Sequence, residues 1–381
     1  MSQSNAAADL AKSLRSGSTL PAEWYVDSRF LALERQAIFR RTWQYAGLIE
    51  DLSEPGDFLT CTAGSVPIVV VCDVDGAIRG YVNVCRNRGS ELVQEERGNR
   101  KSIQCHYHAW TYGLDGSLRA APGERLESGF DRSCFSLLSV RVDMWGPFVF
   151  VNLDESAALL SDVLAELPEL LDATGLRLGD LKRRISVTYD IAANWKVVVD
   201  NYLECYHCPV AHPGFSALID LDTYRVEEYQ YFSVQTGAAR ERTSKRPLYD
   251  SRGEVEDGFY AYFWPNFTIN VYPGPGNVSL NLFQPIDVSH TRAVFEYCFV
   301  DEVGDEAVEE FVRFVDQVQR EDTVLCESVQ RGLESGCIDQ GKLMLSRESA
   351  LRHFQLLVHQ ALCEPIGEPD ESAGASRSPF S

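Results

Sequence analysis

The sequence predicts an α+β protein of two domains, a β-rich one followed by a mixed one. Three observations lead there. The chain has 381 residues, more than one compact domain usually needs. From about residue 45 to 153 its texture is short β-type runs broken by turn signals, and from 154 helical and strand patterns mix. One long amphipathic stretch, Glu306–Gly332, follows the last β-rich region. The segments read as 1–44 (tail and helix), 45–153 (first domain), 154–365 (second domain) and 366–381 (flexible tail).

Residues 1–20 are rich in Ala and Ser. From Asp27 to about Arg41 the spacing turns helical, with Asp27 or Ser28 as N-cap and Phe30, Ile38 and Phe39 on the buried face. In the first domain Val66–Asp73 reads as a strand, Asp75-Gly76 as a turn and Ile78–Val84 as the return. Ser102–Cys105 and Trp110–Tyr112 follow, then a turn at Asp115-Gly116, and Trp145–Asn152 closes the domain as an apolar strand. In the second domain Ala157–Leu171 reads as a helix, Ile185–Ala192 as a strand and Trp195–Tyr206 as a helix. Residues 224–300 are β-rich.

The hydrophobic fraction of 45% suffices for a sizeable core. No run approaches the ~18 apolar residues of a membrane span. The N-terminal stretch lacks the apolar centre of a secretory signal, which predicts a cytoplasmic protein. A net charge of -21 repels phosphate backbones and speaks against nucleic acid. Eleven scattered cysteines predict reduced thiols, some of them metal ligands, rather than a disulfide framework. Of only seven histidines, four fall in two short clusters: His106 with His108, and His207 with His212.

The first cluster sits in the β-rich domain. Cys85 and Asn87 are followed, after 17 residues, by Cys105 and His108. Two ligand pairs on adjacent β-loops suit a [2Fe–2S] cluster in which one iron takes two thiolates and the other two imidazoles. Cys85, Cys105 and His108 supply three donors, and Asn87 stands where the second imidazole is required. An amide oxygen is a weak, neutral donor to iron. His106 follows Cys105 directly and is expected to point elsewhere. Asn87 is then a natural variant with an impaired cluster or a replacement of His.

The second cluster lies in Asp200–His212. Val197, Asp200, Glu204 and His207 follow helical 3-4-3 steps, and Cys208-Pro209 is expected to end the helix so that His212 turns back. Two histidines and one carboxylate on one face of Fe(II) leave room for O₂ and substrate. The long helix carries a stripe of Val308, Phe311, Val315, Val318, Asp322, Leu325 and Val329, on which Asp322 is the one acid. Beside a histidine pair awaiting a carboxylate, Asp322 is predicted to be the third ligand. Glu321 is expected to point off the stripe.

With NVCRNRGS, CHYHAW and NYLECYHCPVAH on the page, the chain resembles the α subunits of Rieske non-haem iron oxygenases, the ring-hydroxylating family, from about Trp43 to Gly332. The resemblance implies a Rieske [2Fe–2S] domain and a catalytic domain with a helix-grip-like antiparallel sheet and a long C-terminal helix. It implies a mononuclear Fe(II) held by His207, His212 and Asp322. It further implies that Glu204 bridges electron transfer between neighbouring subunits of a homotrimer. An NAD(P)H-dependent reductase, with or without a ferredoxin, would supply the electrons, since no dinucleotide glycine fingerprint occurs here. Glu at 204 within ECYHC resembles the branch that oxidises quaternary ammonium compounds such as carnitine and glycine betaine. The expected activity is mono- or dioxygenation of a small organic substrate with O₂, and an arene, with a role in aromatic catabolism, stays open beside a trimethylammonium compound. Phe259, Tyr260, Tyr262, Phe263 and Trp264 form either a substrate wall or sheet core. Two rivals remain: a Rieske ferredoxin, which needs no second domain, and a silent subunit starved of electrons by Asn87.

Overall fold

The computed structural model describes residues 3–240 and 249–363. The tail assigned to 366–381 lies outside the described residues. Among these, the chain forms two compact units: Arg35–Ser161, and the residues up to Glu34 together with those from Asp162 onward. The division falls inside the expected helix at 27–41. There Ser28–Glu34 is α-helical and Arg35–Phe39 widens to a π-turn.

The first unit is all-β. Its strands are β1 (Gln44–Leu48), β2 (Asp57–Ala63), β3 (Val66–Cys72), β4 (Ile78–Val82), β5 (Arg97–Asn99), β6 (Ile103–Gln104), β7 (Thr111–Tyr112), β8 (Leu118–Ala120), β9 (Ser139–Trp145) and β10 (Phe148–Asn152). Seven of them form one sheet in the order β1-β10-β9-β4-β3-β2-β5, and β6-β7-β8 form a second. Trp145–Asn152 is not one strand. Trp145 pairs with Phe148 across a tight turn in which Gly146 takes φ 54°, so the Trp-Gly-Pro start belongs to a hairpin. Ile68, Val70 and Val82 fill one core of this unit, and Val69, Tyr81 and Trp110 another.

In the second unit seven antiparallel strands run in the order β11-β17-β16-β15-β14-β13-β12. They are β11 (Leu181–Ile191), β12 (Arg225–Glu228), β13 (Phe232–Ala238), β14 (Asp257–Phe263), β15 (Phe267–Val271), β16 (Asn277–Asp287) and β17 (His290–Val300). Three helices matter for the site: α1 (Trp195–Tyr202), α2 (Asp305–Glu334) and α3 (Ser349–Cys363). The 157–171 segment is two short helices, Leu160–Leu164 and Leu167–Asp172, because Ala165 adopts φ 47° and Pro168 restarts the second. On α2 the buried face follows Val308, Phe311 and Val315 as expected, then drifts to Gln319, Cys326 and Gln330 and leaves Val329 half exposed. A strict seven-residue repeat slips by roughly 20° per two turns on a straight helix, which accounts for the drift.

The N-terminal segment is tied to α1 by buried polar groups. Lys196 Nζ donates to Glu34 Oε1 at 2.5 Å and Trp195 Nε1 to Glu34 Oε2 at 2.7 Å, with both charged side chains wholly buried. Such a pair fixes register, because removing either partner strands a buried charge. One turn on, Asp200 accepts from Tyr25 Oη at 2.7 Å and from Gln355 Nε2 of α3 at 3.0 Å. Burial pushes the Asp200 carboxyl up to about 7, against the opposing hydrogen bonds. The folded state therefore holds a proton here that the unfolded chain releases near pH ~4. The stability this site supplies is complete below about pH 4 and is lost as pH rises through about 7. Asp200→Asn should remove that loss. The melting temperature of the variant relative to the parent should climb between pH 4 and 7, and a flat difference across that range would refute the assignment.

Candidate metal centre

Asn194 caps α1, its Oδ1 accepting from Lys196 N at 3.0 Å. The helix ends at Tyr202, four residues short of the expected limit. Glu204 accounts for the early stop. Its Oε2 accepts from the backbone N–H groups of Tyr206 and His207, drawing the chain out of helical conformation. Glu204 and His207 thus occupy a loop, not the face of α1. Pro209 does not end a helix either; it lies in the first turn of the short one at Cys208–Ala211, which delivers His212. The structure also joins Cys205 to Cys208 by a disulfide with Cα atoms 4.9 Å apart, so the expectation of reduced thiols fails at this pair. The i, i+3 turn brings their side chains together. Cys85 and Cys105 are free.

The loop and the middle of α2 bring three donors together. His207 Nε2 and His212 Nε2 are 3.0 Å apart, His212 Nε2 is 2.9 Å from Asp322 Oδ1, and His207 Nε2 is 3.4 Å from it. Cis donors of an octahedral ion with bonds of about 2.1 Å are about 3 Å apart, so this triangle fits one face of such an ion. Among the described residues this is the one group of three donors close enough to share an ion. Each imidazole is oriented through its other nitrogen. His207 Nδ1 meets Glu204 Oε1, and His212 Nδ1 lies 2.8 Å from Glu321 Oε2. Gln317 Nε2 steadies Glu321 from one turn earlier at 2.7 Å. Glu321 was expected to point away; its length lets it reach round the helix to His212. Burial works to depress the His207 imidazole, but Asp322 and Glu204 outweigh it and lift it to about 9. Burial likewise opposes ionisation of Asp322, yet the two histidines hold it below the usual carboxylate range.

A cavity of about 100 Å³ adjoins the three donors. Aromatic rings from Tyr202, Phe215, Tyr224, Tyr260, Tyr272 and Phe283 line it. Of the run Phe259–Trp264, only Tyr260 reaches it. Tyr262 Oη donates to Pro265 O and its ring, like that of Trp264, packs on Phe354.

In the first unit the two cysteine loops have the same backbone. Gly89 N donates to Cys85 O and Ala109 N to Cys105 O, each at 3.0 Å, while Cys85 N donates to Ser90 O and Cys105 N to Trp110 O, each at 2.8 Å. Gly89 and Ala109 both take positive φ, 72° and 58°. Both thiols are buried; Asn87 and His108 are exposed at the rim. Tyr112 Oη lies 3.5 Å from Cys85 Sγ, and Tyr107 N donates to Cys105 Sγ at 3.5 Å. His106 Nε2 instead reaches Ser90 Oγ at 3.4 Å. Matched loops with buried thiols and a rim imidazole fit a two-iron cluster, with Asn87 in the place of the second imidazole.

Residues 42–130 match the family model of the Rieske [2Fe-2S] domain, and residues 178–364 that of the ring hydroxylating alpha subunit catalytic domain. The carnitine monooxygenase oxygenase subunit of Acinetobacter pittii is 35% identical over 351 residues, covering 90% of this chain and 94% of the relative. The chain belongs to the Rieske ring-hydroxylating oxygenases. The chloroplastic choline monooxygenase of Spinacia oleracea is 32% identical to this oxygenase, covering 90% of the chain and 78% of the relative. A crystal structure of a quaternary ammonium Rieske monooxygenase superposes with a TM-score of 0.84 at 33% identity, covering 93% and 98%. Naphthalene 1,2-dioxygenase, at 19% identity and a TM-score of 0.74, shares the fold. As a family member this oxygenase is a non-haem iron oxidoreductase with a Rieske cluster and a mononuclear iron. That outcome leaves the rival reading of a lone ferredoxin without support and does not favour the silent subunit. No helix among the described residues is long and apolar enough to cross a membrane.

Asp322→Ala should abolish iron at the triad. Glu321→Gln should keep the fold and weaken iron binding roughly 10- to 100-fold, because His212 loses its orienting partner. Iron per chain after dialysis against graded chelator measures both. Full occupancy in either variant would contradict these roles.

Proposed function

We propose that this oxygenase hydroxylates a C–H bond of a small quaternary ammonium compound. The observation that carries the reading is the cavity beside the triad, which is compact, walled by aromatic faces and, among the described residues, lined by no Lys or Arg. Aromatic faces attract a cation that has shed its water. The relatives named for carnitine and choline support the same class.

His207, His212 and Asp322 are the residues assigned to the mononuclear iron, and Cys85, Cys105 and His108, with Asn87 at the fourth position, to the cluster. Iron in such a site supplies O₂ activation, with electrons relayed from the cluster. The balance is one C–H bond and O₂, with two electrons and two protons, giving C–OH and water. The chain's own side chains do not shuttle protons on the substrate. They hold the donors, exclude water and orient the cation. Glu204 fixes His207 through Nδ1, and we assign it the electron bridge. A solved carnitine-oxidising relative is described in terms of inter-subunit electron transfer, which supports transfer between subunits here, and we assign the assembly as a homotrimer. An NAD(P)H-dependent reductase in the same cytoplasmic compartment would deliver the electrons.

With such a reductase, NADH and O₂, a trimethylammonium substrate should yield hydroxylated product in step with oxygen uptake. NADH consumption without product would refute the activity. Glu204→Gln should weaken iron binding as Glu321→Gln does, and in the variant reloaded with iron should slow substrate-dependent oxidation of the reduced cluster at least about ten-fold in stopped flow. An unchanged rate would remove Glu204 from the electron path. Asn87→His should raise cluster content. Iron and acid-labile sulfide should rise together with the visible absorption, and equal values in both forms would show that Asn87 serves as well as an imidazole.

A further inference from the structure

The loop that delivers both histidines carries two sulfur atoms for which the metal centre has no use. Cys205 and Cys208 bracket His207, and both line the cavity beside the triad. Their Cα atoms are 4.9 Å apart, inside the range that a disulfide spans, and the bond is formed. The other cysteines are free.

The loop does not depend on that bond for its shape. Glu204 Oε2 accepts from the backbone N–H groups of Tyr206 and His207. Val210 N and Ala211 N donate to His207 O at 2.9 and 3.0 Å, and His212 N donates to Cys208 O at 2.9 Å. Ser216 Oγ donates to the same Cys208 carbonyl at 3.0 Å. None of these bonds uses sulfur. With the S–S bond opened, the backbone still holds the two thiols side by side, so the pair can close again without refolding the loop.

The two sulfurs differ in access. Cys205 is half-buried, whereas Cys208 is buried. An accessible thiol beside a resolving one suits reversible oxidation, because the sulfenic acid formed on the first condenses with the second before it can be oxidised further. The reaction of this family also supplies an oxidant. Two electrons and two protons delivered to O₂ without a substrate C–H bond give hydrogen peroxide, and the cavity both sulfurs line adjoins the triad.

We propose that Cys205 and Cys208 are a redox-active pair that reduces peroxide arising in the cavity, and that the disulfide is its oxidised form. The Cys205 sulfur attacks the peroxide. An S–O bond forms, the O–O bond breaks, and the departing oxygen leaves as water. The Cys208 sulfur then attacks the sulfur of the Cys205 sulfenic acid. The S–S bond forms, the S–O bond breaks, and the second oxygen leaves as water. Two thiols and one hydrogen peroxide thus give one disulfide and two waters. A soluble dithiol returns the pair to its reduced form by exchange. None of these steps depends on which substrate is hydroxylated.

The test uses the full iron-loaded chain in its ferric state, reduced with a trialkylphosphine, freed of it under nitrogen and mixed with limiting hydrogen peroxide. Alkylation followed by peptide mass reads the state of each cysteine. The peptide holding Cys205 and Cys208 should lose two hydrogens, and a dithiol should restore them. Cys134 and Cys337, which are exposed and free, should still alkylate. Cys208→Ser should stop at a sulfenic acid on Cys205, trapped by dimedone. Cys205→Ser should leave Cys208 unoxidised. A pair that stays reduced while Cys134 and Cys337 oxidise would overturn the proposal. So would loss of iron from the triad when the bond is reduced, since the disulfide would then be a structural clasp.

Discussion

Two imidazole nitrogens and a carboxylate oxygen, 2.9–3.4 Å from one another, crowd their lone pairs onto one point beside the cavity. Such an arrangement is costly unless protons or a cation occupy the space between. Asp322 and Glu204 lift the His207 imidazole to about 9 against the cost of its burial. The rest of the catalytic unit keeps these atoms from relaxing apart. Glu204 and Glu321 grip the outward nitrogens, so neither ring can rotate without losing a charge-assisted bond. Asp322 is carried by a helix of 30 residues packed over the sheet. The loop bearing both histidines is closed on itself by the Cys205–Cys208 disulfide. Upstream, Lys196 and Glu34 lock α1 from below, because neither charge survives burial without the other.

The convergence of His207, His212 and Asp322 was legible in the sequence because histidine is scarce and because an acid interrupts an otherwise apolar stripe. Periodicity placed Asp322 correctly even though the stripe itself drifts beyond it, since the drift is small so near the middle of the helix. Periodicity failed at Glu204 and His207. Their 3-4-3 spacing resembles a helix face, but a carboxylate able to capture two backbone N–H groups ends the helix first. Glu321 escaped notice for a related reason: spacing tells where a Cβ points, and a long side chain can reach round the helix. That Tyr260 reaches the cavity when its aromatic neighbours do not was equally hidden. Five aromatic residues within six positions look alike in sequence, and only strand pairing shows which one stands opposite Gln235 and Asn270.

In the first unit the sequence alone exposed the unusual residue, and the structure shows what it interrupts. The two cysteine loops share their closing hydrogen bonds and their positive-φ residues. Ala109 accepts a backbone conformation that Gly89 reaches without strain, evidence that the loop shape itself is required. The scaffold for a cluster is therefore complete on both sides, and the asymmetry is confined to one donor atom at Asn87. On the proposed assignment, Cys85, Cys105 and His108 would hold the cluster with a weak fourth contact at Asn87. They cannot tune it in the same way, because an amide has no second nitrogen to couple electron transfer to protonation.

The two halves of the catalytic unit treat charge in opposite ways. Around the triad, carboxylates are concentrated and each is bonded to an imidazole. On the sheet face a few ångströms of side chain away, polarity is neutral throughout, built from amides and hydroxyls that satisfy one another. A cation entering such a cavity meets aromatic faces and, among the described lining residues, no Lys or Arg. Glu204, which orients His207, also lines the cavity, so the geometry of the donors and the polarity of the cavity wall share a residue.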